Sequence, residues 1–163
     1  MNRFASVGVR IGAVVIDGIV AWTLMSPLLF SYVSDVFDDI RAGEDGVGVP
    51  YTTSLIVMSL AITAGYAVTT AYFGGSPGKL VLGLRVTTDD GFTSPPGLRR
   101  AVLRFLPGVV AFVPVVGVTL GGLLLIAAFV MIVTDDEERR SLYDRIAGTR
   151  VVHARTLEQA TGV

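Results

Sequence analysis

Apolar residues in this chain are gathered into long runs, and short segments between the runs carry most of the charge. The first run extends from Val7 to Val33 and is interrupted only by Arg10 and Asp17. A bilayer span needs about 20 residues, so this run is long enough to cross even when tilted. A cleaved signal peptide is the competing reading, with Arg3 and Arg10 as its basic region. It fits poorly, because the stretch is too long, contains an acid and is followed by no small-residue cleavage site. The second run, Thr52 to Phe73, holds no charge and predicts a second full span. The third, Ala101 to Val133, is broken by Arg104, Pro107, Pro114, Gly117 and Gly121-Gly122. It is too long for one untilted helix and short for two full ones.

These runs predict an all-α integral membrane protein with two full transmembrane helices (about 7–33 and 52–73) and a broken third region (about 101–133). Composition agrees. Of the 163 residues, 52% are apolar and only 17% are charged, against about a quarter charged in a typical soluble domain. The length suits one domain, placed at 1–155, with a short disordered tail over 156–163. The formal charge of −1 removes any general basic balance for nucleic acid. With no cysteine there is neither a disulfide framework nor a thiolate site.

The bases set an orientation. Residues 34–51 hold Asp35, Asp38, Asp39, Glu44 and Asp45 against Arg41 alone. The central segment holds Lys79, Arg85, Arg99, Arg100 and Arg104, and the tail holds Arg139, Arg140, Arg145, Arg150 and Arg155. The positive-inside rule then places both termini and the central segment in the cytoplasm and the acidic loop outside. Of the thirteen bases, only Arg41 falls outside in this arrangement. The third region should therefore return to the side it left. It does so as two short spans or as a re-entrant hairpin turning near Pro114 to Gly122; one long tilted helix with an external tail is the alternative.

On the inner surface, Lys79 to Thr88 is β-branched and apolar and ends in Asp90-Gly91, which predicts a strand and a tight turn into Phe92-Thr93. Thr149 to His153 is also strand-like. The two should pair as a small cytoplasmic β element. Leu98 to Leu106 is amphipathic, with Arg99, Arg100 and Arg104 as candidates to face anionic lipid head groups. It reads equally as the inner end of the third span with snorkelling arginines. The string GGSPGK fails as a phosphate loop, because three residues rather than four separate Gly74 from Gly78-Lys79, and Leu80 follows. Its glycines and Pro77 better end the second helix and turn the chain along the interface.

Counted from Val7, Asp17 lies about 15 Å along the first helix, near the bilayer centre. An acid there costs about 2.5–3.5 kcal/mol on insertion scales and needs a partner or a hydrated cavity. Depth-matched partners on the second helix are Thr63, Tyr66 and Thr69. Gly8/Gly12 and Ala61/Gly65 offer small-residue spacing for close helix approach. Arg10, nearer the inner boundary, should meet an inner-surface acid, and Asp144 is a candidate.

Arg10 at the start of the first helix, Asp17 within it and Asp144 in a D-x-x-A-G-T motif resemble the RDD family. The stretches S-P-G-K-L-x-L-G-L-R-V (Ser76 to Val86), L-R (Leu103, Arg104) and R-R-S-L-Y-D-R-I-A-G-T-R-V-V (Arg139 to Val152) are also similar to it. Tyr143 stands where the family commonly has histidine. The resemblance covers roughly Arg3 to Val152 and implies a polytopic membrane protein for which transport, including Na+/H+ antiport, has been suggested.

Two functional readings follow. In the first, Asp17 is a proton- or cation-binding carboxylate of a cell (inner) membrane transporter, with Arg10 tuning it or closing an inner gate with Asp144, and with Thr63 and Tyr66 nearby. So few helices would then require a homo-oligomer. In the second, Arg10, Asp17 and Asp144 form a structural polar lock in an accessory or scaffold subunit, with another membrane protein as partner. Interfacial ion pairs are often architectural, which favours the second; intramembrane acids usually serve function, which favours the first. An enzyme is not expected, since no triad, metal-ligand spacing or cofactor motif is present and His153 is the sole histidine.

Overall fold

A computed structural model describes residues 4–43, 49–89, 93–109, 117–135 and 140–161. Helix α1 runs Val7–Ala42 and α2 runs Val49–Phe73. The short helix α3 (Pro77–Val81) leads into strand β1 (Leu84–Thr88). Helices α4 (Leu98–Val109) and α5 (Gly117–Thr134) follow, then α6 (Leu142–Ala147), strand β2 (Thr149–His153) and α7 (Ala154–Thr161).

Helix α1 is longer than the apolar run. The first acids of the expected outer loop, Asp35, Asp38 and Asp39, lie on its last turns, and it ends only at Gly43, which adopts φ 74°. Glycine takes that left-handed conformation without a Cβ penalty. Pro27 sits inside the helix and cannot donate to the Thr23 carbonyl. The Ser26 hydroxyl donates to that carbonyl instead, at 2.9 Å. This satisfies a polar group that hydrocarbon would leave bare.

Two helices are long and apolar enough to cross a membrane, Val7–Ala42 and Thr53–Phe73. A core helix of a soluble protein would be mostly buried, whereas only 6% and 17% of their apolar windows are buried. Trp22 and Phe30 of α1 and Leu125 and Ile126 of α5 all stand exposed. So much bare apolar surface needs lipid around it.

The third region differs in detail from the sequence expectation. Pro107 lies within α4, and Gly117, Gly121 and Gly122 lie within α5. The expected turn therefore excludes Gly117–Gly122, and Pro114 lies outside the described residues. Helices α4 and α5 touch each other, and both contact α6. The bond from Arg145 to Asp135 (3.1 Å) holds the end of α5 against α6. Arg104 of α4 bonds Asp144 of the same α6. Arg104 of α4 and Asp135, the residue after α5, therefore meet the same short helix α6.

The predicted β element forms, but it is shorter. Lys79–Val81 is helical, because Pro77 fixes a helical φ at the first position of α3 and Gly83 then turns the chain at φ 64°. Only Leu84–Thr88 pairs with Thr149–His153, antiparallel, from Leu84↔His153 to Thr88↔Thr149. Phe4 bridges to Val152 at the edge, and the Ala5 N–H donates to the Val151 carbonyl. Ala5, Ala13, Leu84, Val86 and Val151 form a buried core that joins the sheet to the first turns of α1. Residues 90–92, the expected turn, lie outside the described residues; the Thr88 N–H closes onto the Thr93 carbonyl at 3.0 Å across them. The tail expected to be disordered is helical to Thr161.

Candidate functional site: two carboxylate clusters

Asp144 is placed by a capping box. The Ser141 hydroxyl accepts the Asp144 N–H, and the Asp144 carboxylate accepts the Ser141 N–H at 3.0 Å and its hydroxyl at 2.9 Å. This local motif opens α6 and aims the side chain inward. Gly148, at φ 59°, ends the helix and turns the chain into β2. Asp144 is fully buried. Arg10 Nη1 of α1 donates to Oδ2 at 3.2 Å, and Arg104 Nη1 of α4 donates to Oδ1. The same arginines hold the sheet: Arg10 Nη2 reaches the Val151 carbonyl at 3.2 Å, and Arg104 Nη1 reaches Thr149 Oγ1 at 2.9 Å. One carboxylate thereby ties α1, α4, α6 and β2 together. Burial alone would raise its carboxyl pKa, but Arg104, Arg10 and the Ser141 donors outweigh that and hold it below the ordinary value.

The expected meeting of Arg10 with Asp144 is present. The placement of Arg104 is a correction. It was a candidate for facing lipid, but it is 8% exposed and spends its guanidinium on Asp144 and Thr149. The face of α4 that buries Ala101 and Arg104 is opposite the one carrying the exposed Leu98, Val102 and Leu106. Arg99 is exposed and Arg100 is half-buried.

Asp17 also differs from expectation. Its partners are the N-cap residue Ser76 and the first turn of α3 rather than the hydroxyls of α2. Ser76 Oγ donates to Oδ2 at 2.6 Å and the Gly78 N–H donates to Oδ1 at 2.7 Å. Lys79 Nζ stands 3.9 Å from Oδ2 and donates to Ser76 Oγ at 2.9 Å. Thr63 and Thr69 bond carbonyls of their own helix, those of Ser59 and Tyr66. Helical threonines have those acceptors within reach at no cost in chain rearrangement. Tyr66 does meet residue 17, but at its backbone: the phenol donates to the Asp17 carbonyl oxygen at 2.6 Å. The small-residue spacings do not form a seam between α1 and α2. Gly8 and Gly65 face open space, and Gly12 faces Leu82.

Lys79 is 14% exposed. Burial lowers its pKa to about 8, helped by the Arg104 charge and opposed by Asp17 and Asp144. Sequence reasoning missed Ser76, Gly78 and Lys79 as the partners of Asp17. The available signal was the S-P-G-K string itself, which places the chain's only lysine beside a tight turn. A third, outer network was also missed: Asp89 accepts from Arg140 at 2.9 Å and from Arg150 at 3.1 Å. Among the described residues no group of three His, Cys, Asp or Glu side chains is placed to hold a metal.

No curated protein and no solved structure matches the chain. The model of the RDD family matches residues 4–148. That range runs from the bridge at Phe4 to the turn at Gly148 and includes Arg10, Asp17 and Asp144, the residues around which both clusters are built. The chain belongs to the RDD family and is a membrane protein.

Proposed function

We propose that this RDD-family protein is a multi-pass protein of the inner membrane whose two carboxylate clusters form a static polar lock, and that it serves as a scaffold or accessory subunit of a membrane complex. The observation that carries this reading is Asp144, fully buried and accepting from Arg10, Arg104 and Ser141 together. A carboxylate that loads and unloads an ion must give up ligands. Here both oxygens of Asp17 are also taken by fixed donors at 2.6 and 2.7 Å. The distribution of bases supports cytoplasmic termini, an outer segment around 34–51 and a third region that returns.

The second reading is cation or proton transport of the Na+/H+ type in a homo-oligomer, with Asp17 as the intramembrane carboxylate. One observation favours it: Lys79, a base held to about 8, stands beside that acid. Reconstituted protein separates the two. Under the lock reading, vesicles hold an imposed Na+ or pH gradient as protein-free vesicles do, and Arg10→Ala or Asp144→Ala lowers the thermal midpoint sharply. Gradient loss that Asp17→Asn abolishes would establish transport and sink the lock as the main function. Impermeant thiol labelling of Arg41→Cys from outside, with Arg155→Cys protected, tests the orientation.

A further inference from the structure

Asp17, Asp89, Asp135 and Asp144 each have a base within ion-pair distance. Arg85 of β1 pairs with none of them, and among the described residues it has no acid. Its Nη1 donates to the Leu84 carbonyl at 3.0 Å, which leaves most of its donors unused. The side chain is half-buried, yet its other N–H groups are not enclosed by protein. A half-buried cation must keep its water or take an anion in its place.

The fold sets that guanidinium beside the end of α2. Gly74, at φ 76°, closes the helix, and its carbonyl accepts the Val86 N–H at 2.6 Å. A Cβ on Gly74 would stand 2.5 Å from Ser94 Oγ and 3.4 Å from Arg85 Cδ, so both side chains meet over this one residue. Ser94 is also half-buried, and its hydroxyl is neither bonded among the described residues nor enclosed. The preceding Tyr72 and Phe73 are exposed, as aromatic side chains at a bilayer boundary are. The 21-residue apolar window of α2 ends at Phe73, which puts Arg85 and Ser94 just beyond the hydrocarbon, at head-group level.

We propose that Arg85 and Ser94 form a binding site for the phosphate of an anionic phospholipid, whose acyl chains lie against the exposed aromatic end of α2. The guanidinium fork suits two phosphate oxygens, and the serine hydroxyl supplies a further donor. Anionic head groups are the anions that abound at this depth. Asp89, four residues beyond Arg85, does not compete for the base, because its carboxylate is taken by Arg140 and Arg150. The site needs α2 to span the membrane and is independent of the lock. A purely structural Arg85, complementing the C-terminal carbonyls of α2, would stabilise the fold without any preference among lipids.

Native mass spectrometry of the full chain in detergent, titrated with phosphatidylglycerol or with phosphatidylcholine of matched chains, reads which lipid is retained. Wild type should retain phosphatidylglycerol in preference, and Arg85→Gln should weaken that preference about fivefold, the effect of one base at an anionic surface. Arg155→Gln, which removes an exposed base of α7, should leave it nearly unchanged. Equal retention of the two lipids by wild type overturns the proposal. Equal losses in the two variants also overturn it, since the preference would then belong to a diffuse basic surface. So does an Arg85→Gln protein that melts lower but keeps the preference, which is the structural role alone. Inorganic phosphate should not displace the lipid at equal concentration; displacement would make this a free-phosphate site and sink the lipid assignment. If Arg85→Gln does not fold, Ser94→Ala carries the same test: the preference should fall, and an unchanged preference overturns the site.

Discussion

The Asp17 carboxylate accepts the backbone N–H of Gly78 at 2.7 Å, although the two residues are 61 positions apart. Gly78 comes that close because it lacks a side chain. A Cβ there would stand 2.1 Å from the Ala13 carbonyl oxygen and 3.1 Å from the Asp17 carboxyl carbon. Gly78→Ala should therefore lift α3 off α1 and cost on the order of 1–3 kcal/mol or more. Thermal unfolding in detergent measures this, with Gly65→Ala as the control, since that position faces open space. Equal midpoints for the two variants would contradict the close approach.

Removing Asp144 leaves Arg10 and Arg104 buried without their acid. Breaking a buried pair by deleting one partner typically costs about 3–5 kcal/mol. Asp144→Ala should thus be among the most damaging single changes, and Arg10→Ala and Arg104→Ala should combine non-additively, since both act on one carboxylate. A double-mutant cycle on melting midpoints is the check. Strict additivity would mean that the arginines act independently.

Acid should unlock the same cluster. The folded pKa of Asp144 lies below its ordinary value of 3.8. Its contribution is then complete above that ordinary value and disappears as pH falls through the lower folded value. Near-ultraviolet circular dichroism should hold steady to about the ordinary carboxylate range and fall beneath it. Asp144→Asn should lack this acid limb. An unchanged acid profile in that variant would assign the transition to another group.

The depth of Asp17 can also be measured. Counting from Val7 puts it near mid-bilayer, but its partners Ser76 and Gly78 lie just beyond the end of α2 at Phe73. The apolar window Thr53–Phe73 has 21 residues, about 31 Å at 1.5 Å each, which matches the hydrocarbon thickness. Asp17 is then expected at the inner boundary. Trp22 is the only tryptophan, so Ile19→Trp in a Trp22→Phe background carries a single probe beside Asp17. Brominated lipids should quench it more when the bromines lie near the head group than when they lie at the chain end. The opposite order would restore the mid-bilayer position.

Much of this protein can be read from local pattern. The apolar runs announce α1 and α2 as helices long enough to cross a bilayer, because hydrocarbon thickness and helical rise convert run length into reach, although α1 continues past its run to Ala42. The β-branched segment and TRVVH announce a two-stranded element, and the Arg10–Asp144 pairing follows from two charges near one surface. Other features are not written locally. The partners of Asp17 are 59 and 61 residues away, at the N-cap and in the first turn of a five-residue helix. That helix replaces the start of an expected strand, since Pro77 and Gly83 override the β-branched pattern around them. Arg104 reads as a lipid-facing base within an amphipathic segment, and only the packing of α4 on α2 and α6 turns it toward Asp144. Periodicity gives an amphipathic helix two faces without saying which neighbour each face meets. Sequence alone pointed to the membrane, to two apolar helices long enough to cross it and to the family. Tertiary structure decided which charge neutralises which, because electrostatic pairing depends on distance in space, and the distances here are closed by residues far apart in the chain.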